Sequence, residues 1–194
     1  MKKMILRFFA SVAQKWWAFW SNIRFRKSER FSKEILEEDK INDLDDIRRI
    51  CSKLYRHFKY KNDGLDQLFD AVITPPQAYK NYLTSELEDD CDGFHALLMH
   101  VLKCNNIKCY LLSVIAWKNG HCILVMKYND LWYTVDYTHV YQGFKTLDEA
   151  VKNYNKEFPI KYRFNYEVYY NGLIDYDYEK GKFRNASFKK TEKD

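Results

Sequence analysis

Three residue types that together supply a nucleophile, a base and an orienting acid stand at suggestive positions: Cys91 in DDCDGFHALL, His121 in GHCILVMKY and Asp136 in LWYTVD. A thiol attacks a carbonyl only as thiolate, and a cysteine in the first turn of a helix gains from the partial positive charge of the unpaired N–H groups there. Cys91, Phe94, Leu97, Leu98, Val101 and Leu102 recur at helical spacing from Asp90 to the Asn105-Asn106 stop, so Cys91 opens a helix.

The base must come from elsewhere. Residues 108–116, 121–128 and 131–136 read as three strands separated by Asn119-Gly120 and Asn129-Asp130, the dipeptides an antiparallel meander uses as turns. A turn centred on Asn129-Asp130 pairs residues whose numbers sum to 259, so Ile123 faces Asp136 and His121 faces Thr138. Side chains alternate between faces, which makes His121 and Asp136 same-face diagonal neighbours within reach of an imidazole–carboxylate hydrogen bond. Such a pair fixes the tautomer and leaves the other ring nitrogen to take a thiol proton.

The elements around this core follow from the same periodicities. Residues 1–27 place Ile5, Phe8, Phe9, Val12, Trp16, Phe19, Trp20 and Ile23 at helical spacing, with Lys3, Arg7, Gln14, Lys15 and Asn22 opposite. Arg7 and Lys15 interrupt every apolar run, so neither a membrane span nor a signal-peptide core is expected. Packing on the domain, contact with a partner protein and contact with a membrane surface all stay open for this helix. Asn42 or Asp43 caps a second helix carrying Leu44, Ile47, Cys51, Leu54 and Phe58. The stretch from Lys59 to Asp90 reads as loop and short helical turns, with Asn62-Asp63-Gly64 and Pro75-Pro76 as breakers. Beyond the strands, residues 146–157 look helical, 161–174 alternate like one more strand, and 179–194 form a polar, basic, frayed tail. The expected organisation is an amphipathic basic helix (1–27), one α+β catalytic domain (28–178) and the tail (179–194).

Bulk properties bound the rest. A chain of 194 residues, 46% hydrophobic and 30% charged, makes one folded domain with extensions. The formal net charge of +5 gathers near the two ends, so nucleic-acid binding is not expected. Five cysteines without regular spacing suit a reducing, cytoplasmic compartment over a disulfide scaffold. Cys104, Cys109 and Cys122 lie on or beside apolar elements and read as core. No Cys-x-x-Cys pair occurs, and alternation sends His121 and Cys122 to opposite faces, so no metal and no cofactor are expected. His100 stands off the helical face of His95, so the two form no metal pair, His57 and His139 have no evident partner, all three read as surface or packing residues, and no phosphate-cradling glycine loop is present.

The D-C helix start, the His-opened strand and Trp132-x-x-x-Asp136 on the next strand resemble the transglutaminase-like cysteine peptidases, of bacterial and bacteriophage type. FKYKND and ITPPQAYKN resemble segments that precede the cysteine in that family, so the likeness covers roughly residues 42–140. It implies a papain-like, transglutaminase-core α+β domain whose nucleophile helix packs on an antiparallel sheet. It also implies Cys91 as nucleophile, His121 as base then acid, and Asp136 as orienting carboxylate, acting on a protein or peptide substrate. The outcome would be hydrolysis of a peptide or isopeptide bond; transfer of the acyl group to an amine uses the same residues. A lapsed binding or assembly module, docked through the Trp-rich helix, is the third expectation. Gln77, His95 and Trp132 are oxyanion or substrate candidates, alongside the Cys91 backbone N–H. Two positions depart from the family: Asp89 stands where a glycine is usual, and His95 where a small residue is usual.

Overall fold

A computed structural model of the chain describes residues 2–24, 33–61, 72–85, 87–116, 119–162 and 168–191. The fold is α+β, with mixed helices and antiparallel sheet as expected. Its centre is a sheet whose described strands run β6-β5-β4-β3-β7-β8: β3 Lys108–Ala116, β4 Asn119–Tyr128, β5 Leu131–Asp136, β6 His139–Val140, β7 Val168–Asp177 and β8 Lys182–Ala186. Every neighbouring pair is antiparallel.

The β4–β5 register is the predicted one. Leu124 pairs with Val135 and Tyr128 with Leu131, so partner numbers sum to 259. Asn129 and Asp130 both adopt positive φ, 48° and 61°, which matches the right-handed twist of the strands they join. Asn119-Gly120 behaves differently from the expectation: Asn119 pairs with Ala116 and Gly120 with Ile115, so both belong to β4. Residues 117–118, between β3 and β4, lie outside the described residues.

Alternation splits the core into two layers. Leu111, Leu124, Met126, Val135, Ile174 and Tyr176 face α4 (Cys91–Cys104), which is backed by α2 (Leu44–Arg56) and α3 (Pro75–Thr84). Leu112, Val114, Ile123, Val125, Trp132 and Leu173 face α5 (Leu147–Lys161). From Asp92 to Leu102 every residue of α4 is buried, which makes it the central helix of its layer.

Asp43 caps α2, its carboxylate accepting from Asp46 N–H at 2.8 Å. Phe58, expected on this helix, instead opens β1 (Phe58–Tyr60), which pairs in parallel with β2 (Leu87–Asp89). Pro75 and Pro76 are not breakers: they occupy the first turn of α3, where proline's missing N–H costs nothing. The Asn62-Asp63-Gly64 turn lies outside the described residues. At the other end, α5 runs to Lys161, past the expected Glu157 and through Pro159. The segment read as a frayed tail contributes β8, paired with β7 from Leu173–Ala186 to Asp177–Lys182, and the short α6 (Phe188–Thr191). Local polarity misled there, because β8 needs only Phe183 inward to join the core.

The amphipathic helix α1 (Lys2–Arg24) lies across β7 and β8. Gln14 Nε2 donates to Leu173 O at 3.1 Å, and Arg7 Nε donates to Tyr169 O at 2.9 Å. Asn22 donates to Phe183 O at 3.0 Å and accepts from Phe183 N–H at 2.8 Å, satisfying both backbone groups of that β8 residue. Gly172 allows the close approach, since a Cβ there would stand 1.6 Å from Gln14 Oε1.

Candidate active site

Cys91 is the first residue of α4, and Asp90 caps the helix by accepting from Asp92 N–H at 3.0 Å. Asp89 in turn accepts from Asp90 N–H at 2.9 Å. Gly93 makes room for this carboxylate, because a Cβ on Gly93 would lie 2.3 Å from Asp89 Cγ. The Asp89 departure is thus accommodated by a glycine four residues further on. The carboxylates of Asp89, Asp90 and Asp92 gather within 4.8 Å of one another beside the thiol.

On the sheet, His121 Nε2 lies 2.9 Å from Asp136 Oδ1. The Asp136 side chain is fully buried and receives three further donors at Oδ2: Tyr154 OH at 3.0 Å, Lys161 Nζ at 2.6 Å and Tyr162 OH at 2.8 Å. Burial alone would raise this carboxyl, but the hydrogen bond and charge of His121, with the bond from Lys161, hold it well below the usual carboxylate range. An ionised carboxylate only accepts, so Nε2 of His121 donates to it and Nδ1 is the ring nitrogen left for proton exchange. The His121 ring stacks on Phe158 at 5.9 Å and touches Tyr162 at 4.9 Å. The last turn of α5 and the residue after it therefore set the orientation of both His121 and Asp136. Sequence reading missed this set, although Leu147, Val151, Tyr154 and Phe158 keep helical spacing up to Pro159 and could have carried the helix further.

Cys91 and His121 line one cavity of about 380 Å³, together with Gln14, Trp17, Ser113 and Cys122. Cys91 Sγ accepts from the backbone N–H of Cys122 at 3.4 Å. Among the described residues no hydrogen bond joins Sγ to His121. Burial, reinforced by the carboxylates of Asp90 and Asp92, pushes the Cys91 thiol well up, and only the Cys122 amide opposes this. The resting thiol is therefore protonated, contrary to the low-pKa nucleophile that the helix N-terminus alone suggests.

His95 is fully buried one turn along α4, and its Nδ1 lies 2.6 Å from the carbonyl oxygen of Cys91. Its Nε2 accepts from Tyr137 N–H at 3.1 Å, which leaves Nδ1 as the donor. Burial lowers its pKa to about 4, so the ring is neutral. With both nitrogens engaged it cannot serve as a second base. It ties the first turn of α4 to Tyr137, which follows Asp136 and has a φ of 52°.

The remaining candidates stand apart from the cavity. Gln77 Nε2 donates to Asn81 Oδ1 at 2.8 Å within α3. Trp132 is buried in the α5-side core beside Tyr110, with Lys108 over its ring, because its strand position faces that layer. Cys109 and Cys122 are buried, Cys104 partly so, and all five cysteines are free thiols. His100, read as a surface or packing residue, is buried and bonds Tyr178 OH at 2.9 Å and Glu34 O at 3.1 Å.

No protein-family model and no curated protein matches this chain. Among solved structures it is similar to a protein from Cytophaga hutchinsonii described as a candidate cysteine protease, with 11% identity and a TM-score of 0.42. That similarity covers 88% of this chain and 50% of the other, so the chain spans half the length of this structural neighbour.

Proposed function

We propose that the chain is a cysteine-dependent amide hydrolase of the transglutaminase-like peptidase kind, acting on a protein or peptide through an acyl-enzyme. The observation that carries this reading is one cavity lined by a helix-opening thiol and by a histidine whose Nε2 is held by a buried carboxylate. His121 Nδ1 takes the Cys91 proton as Sγ attacks the amide carbonyl carbon. The oxyanion that forms is met by the Cys91 backbone N–H, one of the unpaired donors of the α4 first turn. Collapse breaks the C–N bond, the imidazolium protonates the departing amine, and a thioester remains. A water molecule then gives its proton to His121 and its oxygen to the acyl carbon, releasing the acid and restoring the thiol. An amine entering in place of water would give acyl transfer with the same residues.

Because Sγ rests against Cys122 N–H, the reading requires substrate to bring Sγ and Nδ1 together, a tightening common between free and substrate-bound enzymes. The raised thiol pKa specifically favours a second reading, a binding module that keeps the site without the chemistry. The two part on one measurement: the rate against pH at which each cysteine is labelled by a set of peptidyl haloacetamides, which bring a substrate-like backbone to the thiol, read by mass spectrometry in the native protein and in His121→Ala. The hydrolase reading expects Cys91 to label fastest, by a route lost in His121→Ala. Equal, sluggish labelling of Cys91 and the buried Cys51 would sink it in favour of the binding module.

A further inference from the structure

The orientation of α1 is the reverse of an ordinary surface helix. Its polar and small residues, Gln14, Ser21, Ala10 and Ala18, are the buried ones and face β7 and β8. Apart from the half-buried Trp17 and Trp20, its large aromatic residues face away: Phe8 is 65% exposed, Phe9 62%, Phe19 53% and Trp16 51%, with Ile5 and Ile23 on the same side. From Met4 to Ile23 this makes a strip roughly 30 Å long at 1.5 Å per residue. Isolated exposed apolar residues are ordinary, but a continuous aromatic strip marks a contact surface.

Charge selects the occupant. Residues 1–27 contain seven lysines and arginines and no aspartate or glutamate. Two copies meeting through this strip would set like charges against each other with no acid to pair them, which disfavours self-association. An anionic lipid surface meets both features, taking the aromatic rings at headgroup depth and the exposed Lys15 at the phosphates, while Arg7 stays on Tyr169 O. No helix among the described residues is long and apolar enough to cross a membrane, so the contact is one of lying on the surface. We infer that α1 docks this chain onto an anionic bilayer through the face bearing Phe8, Phe9, Trp16 and Phe19. The opposite side of the same helix, through Gln14 and Trp17, lines the cavity of Cys91 and His121, so docking holds that cavity next to the membrane plane. The docking does not depend on the chemistry proposed for Cys91.

The test is flotation of the full chain with vesicles of phosphatidylcholine alone and of equal parts phosphatidylcholine and phosphatidylglycerol. Partitioning into the anionic vesicles should exceed that into neutral ones by about tenfold or more and fall with added salt. The triple substitution Phe8→Gln, Trp16→Gln and Phe19→Gln, all exposed, should abolish flotation with an unchanged circular-dichroism melt. Lys15→Gln, a milder change at an exposed position, should weaken it severalfold. A chain that stays unbound with anionic vesicles, or that sediments as a dimer through this face, overturns the proposal. So does flotation that survives the triple substitution.

Discussion

The imidazole of His95 bridges the chain across the site, donating to the Cys91 carbonyl at 2.6 Å and accepting from Tyr137 N–H at 3.1 Å. One of the two residues that depart from the resembled family pattern thus joins the first turn of α4 to the strand end bearing Asp136. His95→Ala should remove a buried side chain and strand the Tyr137 N–H, a loss of roughly 2–4 kcal/mol. Urea unfolding measures it, and an unchanged midpoint would contradict this role.

Acid should destabilise the fold through its buried histidines. Burial lowers both His95 and His100 from 6.5 to about 4. Between these values the unfolded chain binds protons that the folded chain refuses, so stability is full above pH 6.5 and declines as pH falls toward 4. Each histidine contributes on the order of 3 kcal/mol to that slope. Unfolding free energies measured across this window should flatten in His95→Gln and His100→Gln.

Lys161 is predicted to keep Asp136 ionised. In Lys161→Met the carboxyl should titrate closer to its ordinary range, seen by carbon NMR of the side-chain carboxyl. Lys161 is partly exposed, so solvent screening limits the accompanying loss of stability to about 1 kcal/mol. An unmoved Asp136 titration would mean that the two tyrosines and His121 suffice.

If the chain hydrolyses amides, Asp136→Asn should lower kcat/KM by roughly 10²–10⁴, because the amide no longer selects the tautomer with the proton on Nε2. Cys91→Ala should leave no turnover. Peptide-library cleavage followed by mass spectrometry checks both, and residual activity in Cys91→Ala would assign the reaction elsewhere.

Gly93 and Asp89 should be coupled. Gly93→Ala alone drives a methyl into the Asp89 carboxylate and disturbs the Asp90 cap, costing about 1–2 kcal/mol. With Asp89→Gly already present, the Cγ, Oδ2 and Cβ atoms that the methyl would meet are all removed, and the helix preference for alanine over glycine should reverse the sign, by about 0.5–1 kcal/mol. A double-mutant cycle in denaturant reads the coupling directly, and additive effects would refute it.

Several features were written in local sequence. The Asp43 and Asp90 caps, the helical face of Cys91, Phe94, Leu97, Leu98, Val101 and Leu102, and the Asn129-Asp130 turn each depend on residues a few positions apart. The turn also settles the β4–β5 register, which brings His121 and Asp136 to one face before any tertiary contact is known. What the residue pattern left open are meetings between distant segments. Tyr154 and Lys161 of α5, and Tyr162 just after it, reach Asp136 from some twenty residues further along the chain, and no short-range spacing encodes that encounter. The Cys122 amide reaches the thiol from the neighbouring layer, and burial together with Asp90 and Asp92 reverses the pKa that the helix terminus alone would give. The amphipathic pattern of α1 was equally plain in the sequence, yet which face it buries was decided by the docking surface. Gly172 admits Gln14, and β7 and β8 offer backbone groups that only polar side chains can satisfy, so the aromatic side is left outward.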